Sequence, residues 1–152
     1  MMVRRPTRWA LSLAMTSLLL ATPASADDPA ALQDQAGAAV SRGDLKAALG
    51  LLKRARQADP TNIAIHMNLG IVAAWDGQFD LATTSFSAIL KAHPKHFDAQ
   101  FNLGRALLAQ GKTRAGYRAL RTAQKLAPKG DTSPTVEIAG AQLASGDEKA
   151  AR

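Results

Sequence analysis

The run Ile63–His96, IAIHMNLGIVAAWDGQFDLATTSFSAILKAHPKH, decides the fold. Two apolar-periodic stretches flank Asp76-Gly77-Gln78, and the second closes on His93-Pro94. Ile65, Leu69, Val72 and Ala73 share one helical face. Phe79, Ala82, Phe86, Ile89 and Leu90 recur at i, i+3, i+4 and i+7 spacing. Gly77 can take the left-handed conformation that stops the first helix. Pro94 lacks an N–H and clashes with the turn before it, so the second helix cannot pass it. The spacing predicts helix, turn, helix, stop.

Outward from this run the same punctuation returns. Gly43, Gly77 and Gly111 lie 34 residues apart, and so do Pro60, Pro94 and Pro128. Two residue types holding one period in one phase define an array of paired helices, each unit burying its apolar face against its neighbours. The units span 29–62, 63–96 and 97–130. After Gly130 the period slips by one residue, and Pro134 to Ser145 reads as the first helix of a partial fourth unit, 131–152. Gly146-Asp147 would form its turn and Glu148 to Arg152 the start of a second helix, a partial cap with a polar outer face. Residues 27–152 form one expected domain.

The chain resembles the tetratricopeptide repeat family. The family's small residue in the first helix falls on Ala36, Gly70 and Gly104, and its small residue early in the second on Ala48, Ala82 and Gly116. Its bulky residue four further on falls on Leu52, Phe86 and Leu120, and its closing proline on Pro60, Pro94 and Pro128. The small residues let two helices cross closely. There are departures: Leu32, His66 and Gln100 stand where the family has an aromatic, and Ile89 is large for its position. Gly116 lies inside a helix, at about 1 kcal/mol relative to Ala. The resemblance implies an all-α fold, a right-handed α-solenoid with the first helices lining the concave side.

Residues 1–26 carry an address. Arg4, Arg5 and Arg8 precede the apolar run Trp9–Ala21, and Ala24-Ser25-Ala26 is a small-x-small site followed by Asp27-Asp28. This is the layout of a secretory signal, with an apolar run too short to span a bilayer. Cleavage near Ala26 would leave no membrane span and a periplasmic or secreted protein. An uncleaved anchor and a transit peptide are the competing readings, and Pro6-Thr7-Arg8 disfavours twin-arginine export.

The formal charge is +7, but three arginines belong to residues 1–26. Residues 27–152 hold 16 Lys and Arg against 12 Asp and Glu, too mild an excess to imply nucleic acid. With no cysteine, disulfides, thiolate metal sites, thiol nucleophiles and cysteine lipidation are excluded.

Nothing in the chain assembles a catalytic motif, and no cofactor is implied. There is no nucleophile elbow, Walker loop, dinucleotide fingerprint or HExxH. His93 and His96 sit in an inter-repeat turn without a completing carboxylate pattern, and His66 replaces an inward-facing aromatic, a packed core position. Asp44, Asp76 and Asp147 stand beside turn glycines, where capping explains them.

The concave face is the candidate site. By the resemblance, its open positions are Met67, Asn68, Ile71 and Trp75 in the second unit, with Phe101, Asn102, Arg105 and Leu108 in the third. An asparagine pair one repeat apart can hold the backbone of an extended segment, since each amide both donates and accepts. The apolar residues supply anchors, and Arg105 one cation for a carboxylate. The competing reading packs several of them on neighbouring helices. A second, basic surface carries Lys53, Arg54 and Arg56 in one helix and Arg114, Arg118, Arg121 and Lys125 in another. It is either a solvated face or a contact for an acidic partner or anionic lipid.

The expected function is a non-catalytic periplasmic scaffold binding a peptide or helix of a protein partner during assembly of a cell-envelope machine. Similarity to accessory proteins of Flp-type pilus or secretion-system assembly is a narrower alternative, although the lipid-anchoring cysteine usual there is absent. A small envelope enzyme or metal-binding protein using His66, His93 and His96 is the rival from another class.

Overall fold

The computed structural model describes residues 27–144. Its elements are α1 (Pro29–Ser41), α2 (Leu45–Ala58), α3 (Ile63–Trp75), α4 (Phe79–Ala92), α5 (Phe97–Ala109), α6 (Thr113–Leu126) and α7 (Ser133–Ala144). Among the described residues the structure is all helical, and α1–α2, α3–α4 and α5–α6 repeat residue for residue at the 34-residue period. The signal-like segment 1–26, the turn at Gly146-Asp147 and Glu148–Arg152 lie outside the described residues.

The punctuation works as its chemistry requires. Gly43, Gly77 and Gly111 have φ of 77°, 75° and 75°, the left-handed region that favours glycine. Around Gly77, the Gln78 N–H reaches back to the Ala73 carbonyl at 2.8 Å and the Gly77 N–H to Ala74 at 3.2 Å. This double bond pattern satisfies carbonyls that the end of α3 leaves open. Asp44 caps α2 by accepting from the Ala47 N–H at 3.0 Å, and Asn62 caps α3 through the Ala64 N–H at 3.0 Å. Asp76 is the C-cap of α3, its N–H donating to the Val72 carbonyl at 3.0 Å, while its carboxylate accepts from the Gln78 side chain at 2.7 Å. Asp59, before α3, is held below the usual carboxylate range by the Asn62 side chain first, then by Thr61. Asp131, before α7, is lowered in the same way by Ser133.

Small residues set the helix crossings. A Cβ on Gly70 would lie 2.5 Å from the Phe86 ring, and one on Gly104 would lie 2.7 Å from Leu120. Gly116 is equally constrained: its Cβ would meet the Leu108 side chain at 2.7 Å and the Gly104 carbonyl oxygen at 3.1 Å. The helix-propensity cost of Gly116 is therefore the cost of bringing α5 and α6 into contact. Leu52, Phe86 and Leu120, the bulky partners, are all buried, and so is Ile89.

The helices α2, α4 and α6 each pack on the next first helix, continuing the stack through α7. The last described helix, α7, leaves large apolar side chains in water, and the expected cap, Glu148–Arg152, lies outside the described residues. Val136 and Leu143 are 66% and 68% exposed. With the one-residue slip, Leu143 occupies the place of Leu108, which packs over Gly116. Among the described residues no second helix follows to cover it. No helix among the described residues is long and apolar enough to cross a membrane.

Candidate functional site

Successive first helices approach one another, α3 reaching α5 and α5 reaching α7, while contacts between successive second helices do not attain that extent. Two recesses open on the first-helix side. The larger, about 800 Å³, lies between α3, α5 and α7 over Phe79 and Phe86 of α4. The smaller, about 260 Å³, lies between α1, α2 and α3. Ile71 and Trp75 line both, and Trp75 is 63% exposed at the end of α3.

Six of the eight expected residues line these recesses. Asn102, Arg105 and Leu108 join Ile71 and Trp75 in the larger one, while Asn68 lines the smaller. The two asparagines therefore do not face one recess. Asn68 donates to the Gln33 side chain at 3.3 Å across the unit boundary, whereas Asn102 donates to the Asp98 carbonyl at 2.9 Å within its own helix. Leu108 serves both packing and recess. Met67 and Phe101 line neither: Met67 packs against the apolar core, and Phe101 stacks on Phe97 with centroids 6.1 Å apart. Both sit one position before the asparagines, about 100° around the helix from them.

Arg105 already has carboxylate and aromatic neighbours. Its Nε lies 3.6 Å from Glu137 Oε1 on α7, and its guanidinium carbon lies 5.7 Å from the centroid of the Phe101 ring. With side chains 54% and 38% exposed, the Arg105–Glu137 pair contributes about 0.2–1 kcal/mol, weak enough for a ligand carboxylate to displace. Sequence reasoning missed Glu137 and Val136, which line the larger recess. Carrying the one-residue slip forward brings Glu137 to the position of Asn102, a signal that was available in the sequence.

The histidines are engaged separately. His66 is half-buried rather than in the core, with Nε2 2.8 Å from the Pro60 carbonyl oxygen, tying α3 to the preceding turn. His96 Nδ1 accepts from the Ala99 N–H at 3.3 Å, capping α5, and His93 is exposed at the end of α4. Among the described residues no group of three or more His, Cys, Asp or Glu could hold a metal ion.

Two sequence profiles described as tetratricopeptide repeat match this chain, one over residues 39–84 and the other over 67–131. Residues 39–131 carry tetratricopeptide repeats. Solved structures with the same arrangement include MamA from Desulfovibrio magneticus RS-1, with TM-score 0.76 and 22% identity, covering 83% of this chain and 71% of that one. The Sgt2 tetratricopeptide domain from Aspergillus fumigatus gives TM-score 0.71 at 17% identity, covering 80% and 82%. The first tetratricopeptide domain of Spaghetti (RPAP3), bound to the HSP90 peptide SRMEEVD, gives 0.70 at 17% identity, covering 78% and 93%. At these identities the likeness shows the fold. No curated protein sequence matches the chain significantly.

Proposed function

We propose that this tetratricopeptide repeat protein is a non-catalytic interaction scaffold that holds an extended or helical segment of a protein partner in the recess between α3, α5 and α7. The observation that carries this reading is Trp75, 63% exposed beside Asn102 and Arg105 in a recess of about 800 Å³. A large apolar side chain left in water within a concave site marks a place for a partner, and nearby polar groups fix its orientation. The RPAP3 domain bound to an HSP90 peptide supports segment capture as a use of this fold.

The layout of residues 1–26 supports export, with cleavage near Ala26 and a periplasmic home. An exported scaffold without a catalytic constellation suits assembly of a cell-envelope machine, pilus and secretion systems being the narrower form of this role. Separate engagement of His66 and His96 disfavours the metal-binding or enzymatic rival.

Trp75 is the sole tryptophan outside residues 1–26, so its emission reports on the recess. Peptides selected from a random display library against the protein should shift that emission to the blue and compete with one another. Peptides that bind without changing it, and with unaltered affinity for Trp75→Ala, would assign binding to another surface.

A further inference from the structure

Charge is segregated between the two helix classes. The second helices α2, α4 and α6 carry nine lysines and arginines against a single acid, Asp80. The first helices α1, α3, α5 and α7 carry one cation, Arg105, against three acids, Asp34, Asp98 and Glu137. The strongest concentration is on α6, where Arg114, Arg118, Arg121 and Lys125 follow one another at i, i+4, i+7 and i+11. All four are exposed, and none makes an ion pair among the described residues. Like charges at this spacing repel, so the row opposes its own helix unless countercharge arrives from outside.

We infer that the second-helix side is a docking face for an anionic lipid bilayer. Charge complementarity selects an anionic partner, and the distribution selects a broad one. The cations run from Lys53 on α2 through Lys91 on α4 to the α6 row, all exposed, whereas a single acidic helix would meet one row. The exposed large apolar side chains, Trp75, Val136 and Leu143, lie on first helices. Contact would therefore stay at headgroup level, held by Arg and Lys against lipid phosphates without apolar insertion, and would be reversible and salt-sensitive. Bound this way, the array turns its recesses away from the bilayer. The inference does not depend on the recess holding a ligand.

The test is co-sedimentation of the protein, in the form the cell produces, with phosphatidylcholine vesicles lacking or containing phosphatidylglycerol. Retention is expected on the anionic vesicles only and should fall steeply as salt rises from about 0.1 M to about 0.5 M, where screening shortens the reach of exposed charge about twofold. Each basic residue near an anionic surface strengthens association about fivefold. Replacing Arg114, Arg118, Arg121 and Lys125 together by Gln should thus cost at least about tenfold in partitioning, with helicity unchanged. The Arg114→Lys, Arg118→Lys, Arg121→Lys triple should retain binding, and Trp75→Ala should leave it unaltered. Equal retention on neutral vesicles, or retention indifferent to the Gln changes, would overturn the inference. Binding to polyglutamate without binding to anionic vesicles would assign the face to an acidic protein and overturn it too.

Discussion

The Phe86 ring fills the space that a Cβ on Gly70 would need, its nearest carbon 2.5 Å from that position. Phe86 is 1% exposed, so the ring has little room to retreat. Gly70→Ala gains about 1 kcal/mol of helix propensity but incurs overpacking of about 1–3 kcal/mol. Net destabilisation is expected, and Phe86→Leu in the same chain should relieve part of it. Thermal unfolding of the two single variants and the double closes the cycle. Strictly additive effects would mean that the two residues do not meet.

Gly116→Ala links packing to the recess. Its Cβ would press on Leu108, which lines the larger recess, and on the Gly104 carbonyl oxygen. The variant should lose about 1–3 kcal/mol of stability by overpacking and also weaken peptide capture. Titration of selected peptides, followed by Trp75 emission, checks the second effect. Capture unchanged in a destabilised variant would separate Leu108 from the binding surface.

The Arg105–Glu137 pair yields a prediction of opposite sign. Glu137→Gln should alter unfolding stability by no more than about 1 kcal/mol, because the pair is exposed. It should nevertheless tighten binding of peptides that carry a carboxylate, since Arg105 then has no internal competitor. Isothermal titration of acidic and neutral selected peptides would check this. Equal gains for both kinds would show that Glu137 acts by bulk or packing rather than by charge.

Acid stability follows from Asp59 and Asp131, whose carboxylates are lowered by hydrogen bonds from Asn62 and Thr61 and from Ser133. A depressed folded-state pKa contributes stability that is present above the unfolded value, about 3.9 for Asp, and is lost as pH falls through the folded value. Asn62→Ala should therefore flatten the pH dependence of melting below about pH 4, beyond its loss of the α3 cap. An unchanged acid slope in that variant would remove Asp59 as a contributor.

Much of the fold was legible because its determinants are local. A glycine that must take positive φ and a proline that cannot continue a helix mark boundaries within a few residues, so Gly77 and Pro94 located the ends of α3 and α4. The small positions at Gly70 and Gly104 were legible through the family pattern. The site was less so, because its geometry depends on residues far apart in the chain. Phe101 and Met67 were placed on the open face by repeat position, yet a rotation of one residue takes them out of both recesses. Asn68 and Asn102 looked equivalent by period but have unlike neighbours, Gln33 and the Asp98 carbonyl. Glu137 was hidden by the one-residue slip after Gly130, and although the family pattern placed Gly116 at a helix crossing, its contact partner Leu108 on the other helix was not legible.

The central claim is that the first-helix recess, and not the outer face, receives the protein partner. A photo-activatable amino acid at position 75 of the recess, and separately at position 84 on the exposed outer side of α4, tests it in the native cell. The account predicts a discrete protein adduct from position 75, lost when Asn102→Ala and Arg105→Ala are combined, and none from position 84. Adducts from position 84 alone, or adducts from position 75 that persist undiminished in the double variant, would contradict it.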